Sequence, residues 1–314
     1  RAQNRREQFP ILTGEEEIKM KTKTQKRWSL AANIILTVNS ILALAPFVLL
    51  IIASFTDEDV AMNKGFSYFP SKWSLAAFDY IGQQWKMIGR AYLMTILVTA
   101  IGTVLSVVFT AMLAYMLSQK GLPGRKILNF YVVFTMLFNG GLVPTYIMYV
   151  RTFHIKNTVW ALIFPNLLMS AFIVMLVRNY FENSIPQELY ESARIDGASE
   201  FYTFFKIALP LSVPILATTG LMEGLAYWNE WQNGLYYLDS KGAKLYTIQN
   251  ILNNINENIQ FLASNATGGV NIGDLPTTTV RMAIAFVGIL PVLVIYPFFQ
   301  KYFAAGLTLG AVKG

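Results

Sequence analysis

The sequence predicts an all-α integral membrane protein with six transmembrane helices. Hydrophobic residues make up 54% of the chain and charged residues only 14%, whereas soluble domains usually carry about 25% charged residues. The apolar residues are concentrated in six long blocks, and helices satisfy their own backbone hydrogen bonds in lipid. At about 1.5 Å per residue each block can cross a hydrocarbon core of about 30 Å. The blocks are Leu30–Ala53, Ala91–Leu117, Ile127–Val150, Thr158–Val177, Ile207–Tyr227 and Met282–Phe303.

The distribution of Lys and Arg predicts that both termini lie in the cytoplasm, because basic residues accumulate on that side of a membrane. With this orientation, more than half of the 25 basic residues fall in cytoplasmic segments. We expect a cytoplasmic tail over 1–27, a permease domain over 28–304 and a second cytoplasmic tail over 305–314. Within the domain, loop 178–206 is cytoplasmic and loops 56–87 and 239–278 are external.

Charge and composition also exclude several classes of function. The net charge of +7 is explained by basic residues that flank the spans. The sequence lacks a basic patch interleaved with aromatics, which would indicate nucleic-acid binding. The chain has no cysteine and one histidine, His154, so no metal site or catalytic residue is predicted. The glycine-rich segment 268–274 lacks the Lys-Ser/Thr of a P-loop. The chain is therefore predicted not to be an enzyme.

The least membrane-like cytoplasmic stretch between spans is residues 178–210, and its pattern predicts two short helices. Ser184 and Gln187 fit a capping box, with Pro186 in the first turn. Gly197 ends the first helix, because glycine adopts the left-handed conformation that closes helices. Ser199 starts the second helix, whose expected single apolar face comprises Phe201, Phe204, Phe205 and Ala208.

This stretch resembles the EAA motif of ABC importer permeases. The matching residues are Glu191, Ser192, Ala193, Asp196, Gly197 and Ala198, followed by Ile207-Ala-Leu-Pro210. One departure is Ser192, which stands where the motif has its first alanine. From about residue 30 onward the chain is similar to the maltose-type sugar permeases, and specifically to the second of their two permease subunits. The Trp228–Trp231 cluster and the tail Gly306–Gly314 support this resemblance, which lies closest to the branch that imports oligosaccharides and polysaccharide fragments.

The resemblance implies a bacterial cytoplasmic-membrane protein that works in an assembly. Its partners would be a second homologous permease, two ABC ATPase subunits that bind ATP and Mg²⁺, and an extracytoplasmic sugar-binding protein. No cofactor is expected in this chain itself. The motif residues would dock in a cleft of the ATPase, so that closure of the ATPases moves the spans as rigid bodies.

The end of the fifth block is a candidate sugar path. Glu223 is an ionisable residue at membrane depth, where such groups are usually functional. The residues Tyr227, Trp228, Asn229, Glu230, Trp231 and Asn233 then combine rings that stack on sugars with groups that hydrogen-bond hydroxyls. An aromatic belt at the membrane interface would explain the same residues equally well.

Glycine and proline interrupt the third block between Asn139 and Tyr146. An unwound helix is tolerated in a membrane only beside protein or a water-filled cavity, which makes Asn139 and Tyr146 further candidates for the substrate path. A kink that serves helix packing is the alternative.

Two other classes of protein are weighed against the importer. A secondary transporter driven by an ion gradient would show repeats and paired charges at the midplane, and the sequence shows neither. A membrane-embedded glycosyltransferase would need clustered acids or a metal site, and Glu223 alone does not supply one.

Overall fold

The computed structural model describes residues 23–83, 85–254 and 277–311, with side chains over 28–83, 85–254 and 278–298. Within these ranges every regular element is a helix, and the one β contact is an isolated bridge between Thr56 and Trp73. The predicted all-α class is confirmed. Most of the predicted N-terminal tail and the middle of the second external loop lie outside the described residues.

The helices have the following bounds. In chain order they are α1 (Lys23–Ser54), α2 (Glu58–Lys64), α3 (Ala76–Gln83), α4 (Trp85–Ser118), α5 (Arg125–Leu137), α6 (Leu142–Thr152), α7 (Trp160–Ile163), α8 (Ala171–Asn183), α9 (Gln187–Ile195), α10 (Glu200–Leu211), α11 (Val213–Trp228), α12 (Gln232–Tyr237), α13 (residues 248–254) and α14 (Thr277–Ala311). A 3₁₀ turn, Ser240–Leu245, follows α12.

Three helices are long and apolar enough to cross a membrane: Trp28–Ser54, Trp85–Ser118 and Thr278–Phe298. They correspond to the first, second and sixth predicted blocks. The last of these helices continues to Ala311, so most of the predicted C-terminal tail has a helical backbone.

The third and fifth blocks are bent pairs rather than straight helices. α5 and α6 meet at 113°, and α10 and α11 meet at 80°. The first break passes through Gly141, at φ +84°, which confirms the predicted interruption after Asn139. The second break lies at Ser212, between Pro210 and Pro214, whose missing N–H groups weaken a continuous helix. If each pair is one span, the described residues hold up to five spans.

The fourth block does not form one continuous helix, so that part of the prediction is wrong. Its residues divide between α7 and α8, with an irregular stretch between them. Pro165 has no N–H with which to continue the hydrogen bonds of α7, and Asn166 has φ +62°, a left-handed conformation that a right-handed helix does not accommodate. Composition shows that this segment is apolar, but the proline and asparagine decide its backbone.

The core is built around α4. This helix packs against α8 and α11, while α11 packs on α14 and α14 on α1. α4 and α11 approach closely at Gly102, where an added Cβ would lie 2.5 Å from the ring of Tyr227. Glycine is required there by space. The ring it admits donates from its hydroxyl to the carbonyl of Ile163, 3.0 Å away, and so ties α11 to α7.

Candidate coupling segment and amide cleft

The coupling segment, defined here as residues 187–211, consists of α9, a tight turn and α10. α9 begins at Gln187 with Pro186 as its N-cap residue, and Ser184 instead ends α8. The predicted capping box is therefore wrong, because Ser184 belongs to the end of α8 and not to the start of α9. Pro186 cannot donate a backbone hydrogen bond, which suits a position outside the helix.

The end of α9 has the geometry that the sequence predicts. Gly197 lies at φ +78°; its N–H donates to the Arg194 carbonyl at 3.1 Å, and that of Ala198 to the Ala193 carbonyl at 2.9 Å. These two bonds form a Schellman motif, which satisfies the last carbonyls of a helix. The turn between the two helices is therefore a defined structure.

Ser199 caps α10 as predicted, because its hydroxyl accepts from the N–H of Tyr202 at 3.2 Å. The predicted single apolar face is wrong. Phe204 and Ala208 are buried, whereas Phe201 and Phe205 are 69% and 53% exposed. The backbone widens into a π turn over Phe204–Ala208, so side chains no longer follow the 3.6-residue period. The two exposed rings remain available to another surface.

An open groove of about 940 Å³ runs along the coupling segment. Of the predicted motif residues, Ser192, Ala193, Asp196, Gly197 and Ala198 line it, together with apolar residues of α10. Glu191 is exposed beside the groove and does not line it. The small side chains at the motif positions keep this groove open.

A charged cluster holds α5 and α8 against the same end of α4. Arg125 and Arg178 both donate to the carbonyl of Leu117, at 2.7 and 3.3 Å. Both guanidinium groups also pair with Glu182, at 2.7 and 2.8 Å. The last carbonyls of a helix have no partner within it and attract cations, so the C-terminus of α4 is a natural acceptor for them.

Of the predicted sugar-path residues, Glu223, Tyr227 and Trp228 are buried inside the chain. Glu223 lies beside Ser106 of α4. Besides the Tyr227 bond to Ile163, the indole of Trp228 donates to the Gly288 carbonyl of α14 at 3.1 Å. In this structure Tyr227 and Trp228 join α11 to its neighbours, and Glu223 faces α4.

The residues after α11 are more accessible. Asn229 is exposed and donates back to the carbonyl of Leu225. Glu230 accepts the N–H of Asn233 at 2.7 Å and so stabilises the start of α12. Trp231 is partly exposed, and its carbonyl accepts from Asn250 at 2.7 Å.

A polar cleft of about 260 Å³ lies between the α5–α6 break and α12. We call it the amide cleft, because amide and hydroxyl groups dominate its lining: Asn139, Gly141, Leu142, Thr145, Asn166, Gln232, Asn233, Tyr236 and Tyr237. Asn139 and Asn233 are the two predicted sugar-path residues that line it. Tyr146 lies next to the cleft, stacked on Tyr237 at 5.7 Å.

Sequence reasoning missed Thr145, Asn166, Gln232 and the two tyrosines of the amide cleft. The dipeptide Pro165-Asn166 inside an apolar block was the available signal, because it marks a turn rather than a helix. Its convergence with Asn139 and Gln232 depends on tertiary structure and leaves no local pattern.

Comparison with known proteins identifies the class. Residues 11–309 match the family of the binding-protein-dependent transport system inner membrane component. The chain is 38% identical to the polygalacturonan/rhamnogalacturonan transport system permease protein YtcP of Bacillus subtilis, over 88% of this chain and 94% of that one. It is 31% identical to the arabinooligosaccharides transport system permease protein AraQ of Halalkalibacterium halodurans, over 94% of this chain and 100% of that protein.

A solved structure shows the same fold. The crystal structure of a bacterial ABC transporter involved in the import of the acidic polysaccharide alginate contains a chain that matches with a TM-score of 0.71 and 26% identity, over 90% of this chain and 99% of that one. The chain therefore belongs to the family of binding-protein-dependent transport inner membrane components, and the resemblance to ABC importer permeases is confirmed. It is a transport subunit, and neither alternative class is favoured.

Proposed function

We propose that this chain is one permease subunit of an ATP-driven importer of oligosaccharides. The observation that carries the proposal is the coupling segment. Its motif residues line an open groove next to a rigid Schellman turn, in a chain whose family transports substrates with a binding protein.

The coupling segment receives work from a separate ATPase. Exposed Phe201, Phe205 and Ile195 give it the apolar surface that a protein partner buries. Two short helices joined by a defined turn move as one body, so closure of an ATPase dimer would displace the attached spans. Glu191, exposed beside the groove, is placed to meet a basic group of that partner.

Oligosaccharides are the proposed substrate class. The named relatives carry polygalacturonan, rhamnogalacturonan or arabinooligosaccharides, and the amide cleft supports a related role here. Its amide groups can hydrogen-bond sugar hydroxyls, while the partly exposed Tyr236 offers aromatic surface. Asn229, Glu230 and Trp231 follow α11 directly and are proposed to border the same path.

The assembly is proposed to contain a second homologous permease, two ATPase subunits that bind ATP and Mg²⁺, and an extracytoplasmic sugar-binding protein. The chain would span the bacterial cytoplasmic membrane six times, with the broken α7–α8 region as the fourth crossing and both termini inside. The positive-inside distribution of Lys and Arg supports that orientation.

Copurification tests the function. The tagged chain, expressed with its neighbouring transport genes, should bring down a distinct ATPase chain in a ratio of one ATPase per permease subunit. The purified complex should hydrolyse ATP faster when a loaded binding protein is added. Purification of the chain without an ATPase, from membranes that contain one, would contradict the proposal.

Cysteine labelling tests the orientation, because the chain contains no native cysteine. A cysteine at Ser199 should react with an impermeant maleimide only after the cells are opened. A cysteine at exposed Asn229 should react in intact cells. Labelling of the Ser199 variant from outside would overturn both the topology and the assignment of the coupling segment.

A further inference from the structure

Tyr115, near the C-terminal end of α4, is a point where the coupling segment meets the core. Its ring lies 5.9 Å from Phe181 of α8, 5.9 Å from Tyr190 of α9 and 5.2 Å from Phe204 of α10. Only 5% of Tyr115 is exposed. One buried residue of α4 thus contacts both helices of the coupling segment and the helix that precedes them.

Polar contacts close a ring around the same point. The Tyr115 hydroxyl donates to one Glu200 carboxylate oxygen at 2.9 Å, and Arg194 Nε donates to the other at 2.9 Å. A second nitrogen of Arg194 donates to the Gln119 amide oxygen at 2.7 Å. Four side chains therefore run from α4 through α10 and α9 to Gln119, the residue that follows α4; we call them the polar ring.

The polar ring differs from an ordinary surface ion pair. Arg194 and Glu200 are 43% and 56% exposed, and exposed pairs usually add little stability. Both residues, however, also bond to buried groups at the end of α4 or just after it, since Tyr115 and Gln119 are 5% and 8% exposed. The planar guanidinium has donors in a fixed fork, and here it sets the angle between Glu200 and Gln119. The arrangement fixes the orientation of the coupling segment relative to α4 more than it adds stability.

We infer that Tyr115, Gln119, Arg194 and Glu200 are positioning residues that transmit displacement of the coupling segment to α4. This inference rests on the proposed function, because it assigns the route by which the ATPase moves the spans. The aromatic contacts keep the coupling segment attached to α4, whereas the polar ring makes α4 rotate together with the coupling segment. Breaking the ring should therefore leave the assembly intact and uncouple the far end of α4.

Two tyrosines provide a matched pair of variants. Tyr115→Phe removes the hydroxyl that donates to Glu200 and keeps the ring. Tyr190→Phe removes a buried hydroxyl that has no hydrogen-bond partner among the described residues, on a ring that packs against Tyr115. The two variants lose the same atom in the same cluster, and only the first breaks the polar ring. Glu200→Gln and Gln119→Leu break it at other points.

The experiment follows the far end of α4 in the complete complex with its ATPase, in nanodiscs. Lys86→Cys, near the start of α4, supplies the one thiol of this chain, and its labelling rate with an impermeant maleimide is compared without nucleotide and with MgATP plus vanadate. Subunit ratio and ATP hydrolysis are measured on the same samples.

In the parent complex the nucleotide should change the labelling rate. Tyr115→Phe, Glu200→Gln and Gln119→Leu should each reduce that change about fivefold, as expected for loss of one hydrogen bond, with subunit ratio and hydrolysis retained. Tyr190→Phe should respond like the parent.

Responses equal to the parent in all three ring variants would overturn the inference. So would an equal loss in Tyr190→Phe, or loss of the ATPase from the ring variants, since either would indicate packing alone. A parent complex that binds no ATPase would instead overturn the proposed function, and this inference with it.

Discussion

The two ends of α4 are joined to their neighbours by different chemistry. At the coupling end, near residues 115–119, charged side chains make the contacts, through Glu182 with its two arginines and through Arg194 with Glu200. From the middle of α4 to its other end, a region that we call the cleft end, the hydrogen bonds made by Thr95, Tyr227 and Trp228 are uncharged. Thr95 accepts the N–H of Ile248 at 2.9 Å, and Tyr227 and Trp228 donate to backbone carbonyls.

This difference follows from the surroundings of each end. Charged groups are costly to bury unless paired, and the ion pairs of the coupling end are all partly exposed. Neutral hydroxyl, indole and amide groups can be fully buried when each finds a carbonyl. The coupling end should therefore respond most to changes in charge and backbone geometry. The cleft end should respond most to changes in shape.

The largest expected effect is that of Gly197→Asp at the coupling end. A residue with a Cβ at φ +78° costs about 1–2 kcal/mol, and the new carboxylate would lie in the groove that Gly197 lines. A Cβ there meets no atom within 4 Å, so the fold itself should survive. We expect normal membrane insertion and at least about a tenfold loss of ATPase association or of coupled transport, measured on the purified complex.

Gly121→Asp is the matched control for this variant. Gly121 lies in the neighbouring loop, has no positive φ and also has open space around its Cβ position. The Gly121→Asp variant adds the same charge at the coupling end, and it should couple ATP hydrolysis to transport normally. Equal loss in both variants would mean that charge, rather than the turn geometry at Gly197, governs the coupling end.

The next effect belongs to the cleft end, where Gly102→Ala should destabilise through shape alone. Its Cβ would lie 2.5 Å from the ring of Tyr227, so the ring must move and its bond to Ile163 weakens. Overpacking of this kind costs about 2 kcal/mol. Thermal unfolding in detergent should show a lowered Tm. Gly220→Ala, whose Cβ would have its nearest contact at 3.5 Å, should unfold like the parent, and an equal drop there would contradict the argument from Tyr227.

A smaller effect is expected from neutral substitutions in the amide cleft. Gln232→Ala and Asn166→Ala remove lining groups and should reduce stimulation of ATP hydrolysis by oligosaccharide-loaded binding protein about fivefold, as for one lost hydrogen bond. Assembly should be unchanged. Asn63→Ala, outside the cleft lining and bonded to its own helix, serves as the comparison. Full stimulation in both cleft variants would remove the cleft from the substrate path.

The smallest effect is predicted for a change from neutral to mildly acidic pH, which should not alter the contribution of Asp239 to stability. The Asn157 side chain, the Lys241 N–H and Lys156 lower the pKa of Asp239 to about 2. A carboxylate with a lowered pKa stabilises the fold above its unfolded pKa of about 3.9, and this contribution is lost only as the pH falls toward 2. Between pH 7 and 5, therefore, the difference in Tm between the parent and Asp239→Asn should stay constant. A difference that shrinks over this range would show that Asp239 is already protonated.

The sequence predicted what depends on local signals. Apolar blocks identified three long helices, Gly197 and Ser199 marked the turn and the cap, and the glycines after Asn139 marked a break. Contacts between residues that are far apart in the sequence could not be predicted. Glu200 and Tyr115 are 85 positions apart, and nothing in either neighbourhood indicates their pairing. The predicted α10 face was wrong because a π turn changes the helical period, which residue types alone do not reveal.

The bend between α5 and α6 has a consequence for the life of the subunit before assembly. α5 has 13 residues, about 20 Å at 1.5 Å per residue, which is shorter than the hydrocarbon thickness of about 30 Å. If this bent pair is one span, the elbow after Leu137 lies at lipid depth, where exposed backbone polar groups are not tolerated. Gly140 is exposed in this elbow and has no hydrogen-bond partner among the described residues, so we expect a protein neighbour to cover it. Produced without its partner permease, the subunit should be a substrate for membrane quality-control proteases and turn over faster than in the complete assembly.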